Sequence, residues 1–140
     1  MSDELRPFHL AIVVQDINLA RQFYGDLLGC PEGRSAPGWV DFSLFGHQLV
    51  CHLGSRDSCK VASAVDEDNV PVPHFGVVLR LAEWKSLADK LIGKGQVFEL
   101  APKLRFVGQP GEQGTFFLLD PFGNAIEFKG FDQIDALFSK

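Results

Sequence analysis

The alternation of apolar and polar positions predicts the same run of elements twice. Residues 7–14 alternate as a strand, with His9, Ala11 and Val13 on one face and Phe8, Leu10, Ile12 and Val14 on the other. Asp16 or Asn18 can cap a helix whose apolar positions, Ile17, Ala20, Phe23, Tyr24, Leu27 and Leu28, keep helical spacing until Gly29 ends it. Residues 30–38 read as loop, unless a short extended piece near Arg34 counts as a strand. Trp39–Leu44 reads as a strand, Phe45-Gly46-His47 as a turn, and residues 48–53 as the strand returning. A polar, acidic stretch over residues 54–72 reads as a linker. The order then restarts with a strand over 74–79. A helix follows, carrying Trp84, Leu87, Ala88, Leu91 and Ile92 on one stripe and closed by Gly93 and Gly95. Residues 97–100 are extended, 101–114 read as a long Gly/Pro loop, and 116–129 as a hairpin turning at Asp120-Pro121-Phe122-Gly123-Asn124. Residues 132–140, with Ile134, Leu137 and Phe138 at helical spacing, read as a short helix docking on the body or on a second subunit.

The repeat survives residue by residue. Phe-His-Leu-Ala-Ile-Val-Val at 8–14 matches Pro-His-Phe-Gly-Val-Val-Leu at 73–79 with the histidines in register, and a Phe-Gly turn (Phe45-Gly46, Phe122-Gly123) precedes each final strand. A repeat of this length implies two similar modules packed side by side, an α+β arrangement of two βαβββ units over 7–54 and 73–131. The whole chain, 1–140, would be one domain, with 132–140 as a C-terminal segment.

The same pattern isolates candidate chemistry. Glu127 sits among apolar residues in the last strand, where a carboxylate is costly unless a cation or hydrogen bonds satisfy it. His9 and His74 open equivalent strands. A small residue stands two positions beyond each (Ala11, Gly76) and beside the acid (Ala125), leaving room for a ligand on the face turned away from the helices. The working expectation is that His9, His74 and Glu127 meet around a divalent metal. Blander readings stand beside it: a strand histidine is commonly a satisfied core residue, and Glu127 can pair with a cation such as Lys129. His47 reads as a solvated turn residue. The Asp66-Glu67-Asp68 run lacks calcium-loop spacing and reads as exposed loop. Residues 108–114 lack the helix and Lys-Ser/Thr of a phosphate loop.

Composition narrows the partners. At 140 residues, with 46% hydrophobic positions, the chain can bury a real core. A net charge of -5 argues against nucleic acid or an anionic membrane surface. No apolar run approaches the roughly 18 residues of a membrane span, and the N-terminus lacks a signal-peptide pattern. Three cysteines without metal-type spacing suggest reduced thiols in the cytoplasm: Cys51 as core filling, Cys30 and Cys59 in loops.

His9 at the first strand, Phe23-Tyr24-Gly25-Asp26-Leu27-Leu28-Gly29 at the end of the first helix, and Asp120-Pro121-Phe122-Gly123-Asn124-Ala125-Ile126-Glu127 together resemble the vicinal oxygen chelate superfamily of glyoxalase I, bleomycin-resistance proteins and extradiol dioxygenases. The likeness covers residues 7–131. Its wording at Phe45-Gly46-His47-Gln48-Leu49-Val50, at Pro71-Val72-Pro73-His74-Phe75-Gly76-Val77 and at Glu127-Phe128-Lys129 is most similar to a bacterial group of predicted extradiol-type dioxygenases. The resemblance implies paired βαβββ modules, each curling to a half-barrel of mixed sheet, with helices outside and the metal on the concave faces.

It further implies a metal-dependent enzyme acting on a small substrate that chelates through adjacent oxygens. Two histidines and one carboxylate suit Fe(II) and an O₂-using dioxygenase, with Mn(II) also possible. The alternatives are a glyoxalase-type lyase or isomerase using Ni(II), Zn(II) or Co(II), and a metal-free binding protein of the bleomycin-resistance kind. A homodimer is the expected assembly.

His52 bears on the choice. In glyoxalase-like members a carboxylate from the equivalent strand is a fourth ligand, and His52 stands near that place as ligand or as acid/base. Counting from the Phe-Gly turns, however, aligns Glu127 with Val50, two residues short of His52. Ring-cleaving members usually carry a histidine ahead of the last hairpin and a tyrosine near the acid. Here that loop reads Gly111-Glu112-Gln113-Gly114-Thr115, and the only tyrosine is Tyr24. Arg105, Glu112 and Gln113 are candidates for substrate binding, Arg105 suiting an anionic group.

Overall fold

Asp16 caps the first helix as its position predicts, its carboxylate accepting the Leu19 N–H at 3.0 Å. This helix, α1, has one α-helical turn (Ile17–Ala20) continued by a π-helical stretch (Arg21–Leu27), and Gly29 closes it at φ 75°. In the computed structural model the described residues are 5–55, 61–65, 68–109 and 112–138. They form two units: Met1–Ser58 with Asp120–Phe122, and Cys59–Leu119 with Gly123–Lys140. Each holds one βαβββ module, so the fold is α+β with two four-stranded mixed sheets and two helices.

In the first unit, β1 (His9–Val14), β2 (Glu32–Ala36), β3 (Trp39–Leu44) and β4 (His47–Leu53) make a sheet of order β1-β4-β3-β2, with β1 parallel to β4. Phe45 (φ 52°) and Gly46 (φ 90°) form the two-residue turn between β3 and β4, both in the left-handed region that such a tight hairpin demands. One sheet face buries Val14, Val40, Phe42, Leu49 and Cys51, where Phe42 meets Tyr24 of α1. Tyr24 is fully buried, and its hydroxyl donates to Asp120 Oδ2 at 2.7 Å.

The second unit repeats the plan. Strands β7 (Phe75–Arg80), β8 (Leu100–Arg105), β9 (Gln113–Leu119) and β10 (Ala125–Phe131) are ordered β7-β10-β9-β8, with β7 parallel to β10. Helix α2 (Leu81–Gly93) covers the face bearing Phe116, Leu118, Ile126 and Phe128. Its Trp84 lies over Gly114 and Gly130, a cross-strand pair where an added Cβ would come within 2.8 and 2.6 Å of the indole, and it donates Nε1–H to the Phe128 carbonyl at 2.9 Å.

Three stretches differ from the sequence reading. Residues 32–36 are strand β2, so the short extended piece near Arg34 does count as a strand, and half of 101–114 is strand: β8 runs to Arg105 and β9 starts at Gln113. Both strands are sheet edges interrupted by a register shift, one spanning Gly33 and the other Pro102. Bulged edge strands tolerate the residues that otherwise signal loop. The 54–72 stretch is more than a linker, because β5 (Val61–Val65) and β6 (Asp68–Val72) pair as an antiparallel hairpin. The acidic residues Asp66, Glu67 and Asp68 at its centre are what made the stretch read as linker. Asp66, Glu67 and Cys59 lie outside the described residues. The C-terminal segment is a 3-10 turn (Ile134–Phe138) in which Phe138 is 86% exposed, so that side chain does not dock within the chain.

Candidate functional site

The second unit holds a cleft of about 250 Å³ lined by His74, Gly76, Val78, Glu127 and Lys129 together with the backbone of β7. Strand β10 presents Glu127 there, opposite Gly76 on β7 and Phe117 on β9. The approach at Gly76 is so close that a Cβ would lie 1.7 Å from the Glu127 carbonyl oxygen, so only glycine fits.

Glu127 is 7% exposed and has a polar neighbour at each carboxylate oxygen. Thr115 Oγ1 donates to its Oε2 at 2.5 Å, and His74 Nε2 lies 3.2 Å from its Oε1. The His74 ring stands edge-on to Phe117, and its Nδ1 is 2.6 Å from the Pro71 carbonyl oxygen. A carbonyl only accepts, so Nδ1 carries the hydrogen and Nε2 faces Glu127.

In the first unit, His9 stands opposite Gln48, and Ala11 stands opposite Val50. Ala11 is the counterpart of Gly76, so Val50 occupies the place Glu127 has in the other module, and His52, opposite Val13, matches Lys129, opposite Val78. His9 Nδ1 is 2.8 Å from Gln48 Oε1, and Gln48 Nε2 donates to Asp41 Oδ2 at 3.1 Å. His52 is exposed. His47 is not merely solvated, because its Nδ1 accepts the Phe8 N–H at 2.7 Å.

Arg105 and Gln113 stand opposite one another on β8 and β9, and alternation puts them on the face that carries Thr115, Phe117 and Glu127. Arg105 is 3% exposed. Glu112 is exposed and closes its own loop, accepting the Gly108 N–H at 2.9 Å. Tyr24 belongs to the core. Burial, then the neighbouring Asp120, pushes its phenol well above the ordinary range, so it stays a donor. The Cys51 thiol is pushed up to about 12, first by burial and then by Asp120, which makes it inert as a nucleophile. Cys30, expected in a loop, is buried as well.

Residues 6–128 match the model of the glyoxalase/bleomycin resistance protein/dioxygenase superfamily. The chain belongs to this superfamily. A solved glyoxalase/bleomycin resistance protein/dioxygenase from Alicyclobacillus acidocaldarius is 34% identical, with 95% of this chain and 96% of that one covered at a TM-score of 0.80. Lactoylglutathione lyase from Agrobacterium tumefaciens is 17% identical, with coverage of 99% and 100% at 0.65. The fosfomycin resistance protein FosX from Listeria monocytogenes is 15% identical, with the same coverage and score. These last two likenesses show the fold alone. No curated protein matches.

Members of the superfamily are mostly metal-dependent enzymes that commonly bind divalent metals, and the fold implies a small-molecule ligand. Within either unit, the described residues include no group of three His, Cys, Asp or Glu side chains that could hold an ion. The pair in the second unit nevertheless suits one. With hydrogen on His74 Nδ1, two lone pairs face each other across 3.2 Å, and only a proton or a cation between them makes that contact favourable. Among the described residues, no helix is long and apolar enough to cross a membrane.

The geometry adds Thr115 and the Pro71 carbonyl as supports that sequence reasoning missed. Thr115 was within reach, because the hairpin register around Asp120-Pro121-Phe122-Gly123-Asn124 sets it diagonal to Glu127. The Pro71 contact had no signal, since a main-chain carbonyl carries no side-chain identity for the sequence to show.

Proposed function

We propose that this protein is a metal-dependent dioxygenase of the extradiol type, acting on a small substrate that binds through adjacent oxygens. Its ion is a divalent metal, Fe(II) favoured, held by His74 and Glu127 with His9, from the same chain or a second copy, as third ligand. The observation that carries the reading is the His74–Glu127 pair: a fixed imidazole nitrogen and a buried carboxylate facing each other at 3.2 Å. A second observation favours the dioxygenase over a lyase or isomerase. Val50 fills the position matching Glu127, so the first module brings no carboxylate there, and a three-ligand set leaves more of the coordination sphere open.

A bound ion would supply Lewis acidity and a meeting point for substrate and O₂. The chain's own residues do the rest. Thr115 holds the Glu127 carboxylate in one orientation, and Pro71 does the same for the His74 ring. Lys129 lines the cleft, and Arg105 and Gln113 share its sheet face, suiting a substrate with an anionic or polar end. His52, exposed on the matching face of the first module, is the candidate acid/base.

The test is metal analysis of purified protein together with O₂ uptake in the presence of catechols. Iron with substrate-dependent O₂ consumption supports the proposal. Nickel or zinc with methylglyoxal–thiol turnover and no O₂ uptake replaces it with a glyoxalase-type activity. Protein that purifies metal-free and gains no thermal stability from divalent ions defeats both.

A further inference from the structure

We propose that Asp41 is the positioning residue for His9: acting through Gln48, it fixes hydrogen on Nδ1 and keeps the Nε2 lone pair available. This rests on the reading of His9 as a ligand only for its functional value. The relay itself stands on geometry.

Asp41 stands opposite Val50, Val50 opposite Ala11, and Gln48 opposite His9, so Asp41, Gln48 and His9 share one face of the β3-β4-β1 array. An ionised carboxylate offers only acceptor lone pairs, so the Gln48 amide must turn its NH₂ toward Asp41, 3.1 Å away. That leaves Gln48 Oε1, also an acceptor, 2.8 Å from His9 Nδ1, and the imidazole must donate there. Each acceptor thus dictates the next donor, and the ring nitrogen left with a lone pair is Nε2.

Two further observations sharpen this. Asp41 is 8% exposed, although any β-branched residue would fill that place without the cost of burying a carboxylate. His47, in the same unit, is set the other way: its Nδ1 accepts the Phe8 N–H, so its hydrogen sits on Nε2. The unit therefore fixes two histidines in opposite tautomers by different partners. Ligand histidines are commonly held by such outer contacts. In the second module a main-chain carbonyl does it, and in the first a side-chain relay does.

The experiment is long-range ¹H–¹⁵N correlation spectroscopy of the four histidines in the full-length, chelator-treated protein at about pH 8.5, above the ordinary histidine range. Wild-type His9 should show hydrogen on Nδ1 and His47 on Nε2. In Asp41→Asn, an amide can present either end to Gln48, and the two ring-nitrogen shifts of His9 should move toward an averaged pair while those of His47 stay put. Gln48→Leu should do the same by cutting the relay at its middle, and it serves should Asp41→Asn not fold. Zinc, titrated as a diamagnetic probe, should bind either variant about 10- to 100-fold more weakly. A wild-type His9 with hydrogen on Nε2, or one whose tautomer is indifferent to both substitutions, overturns the proposal. Zinc that leaves the His9 signals unmoved, while Asp41→Asn still scrambles the tautomer, defeats the ligand reading and leaves the relay standing.

Discussion

In the first unit Ala11 faces Val50, and in the second Gly76 faces Glu127. Strand order, parallel pairing and the histidine two residues upstream are common to both modules. What differs is how each module settles its polar face. The first spends a buried acid, Asp41, on orienting a glutamine and through it His9. The second puts its acid beside His74 and orients the ring with main chain. One strand plan thus carries a histidine–carboxylate pair in the second module and a histidine–glutamine–aspartate chain in the first.

That contrast can be broken most severely at Gly76. In Gly76→Ala the new Cβ would strike the Glu127 main chain, so β7 must leave β10, at a cost of about 3 kcal/mol or more in urea unfolding. The matched change Ala11→Gly in the other module should cost only about 1 kcal/mol or less.

Glu127→Gln should fold, but any gain in melting temperature from added divalent ions should vanish, with activity falling at least about 100-fold. Val50→Ala should keep the ion response in the same thermal-shift assay. Equal responses in the two variants would erase the functional asymmetry.

Tyr24→Phe removes a buried donor to Asp120 and should cost about 1–3 kcal/mol by denaturant titration.

The smallest effect is one of pH. Cys51 and Tyr24 both titrate higher in the fold than in the unfolded chain, so the unfolded state loses its protons first and stability falls as pH rises. For Cys51 the loss runs from about 9 to about 12. Melting temperatures across that window should fall less steeply in Cys51→Ala, and an unchanged slope would remove the thiol from the account.

The repeat and the faces of its strands were legible because alternation with a period of two is a local property of the chain. The histidines in register, the lone acid in the last strand and the small residues beside them all followed from counting. Edge strand β8 was not legible, and β2 only as a short extended piece near Arg34, because a bulge lets glycine or proline stand where the local code says loop. The β5–β6 hairpin was hidden because the acidic run at its centre reads as linker.

By itself, then, the sequence determined the two modules and the residues their polar faces offer. Only tertiary structure decided the partners. Parallel pairing of β1 with β4 and of β7 with β10 joins residues 39 and 51 positions apart, a register that no short-range rule sets. Which histidine nitrogen keeps its lone pair depends in turn on the acceptor that the register delivers, Gln48 in one module and the Pro71 carbonyl in the other.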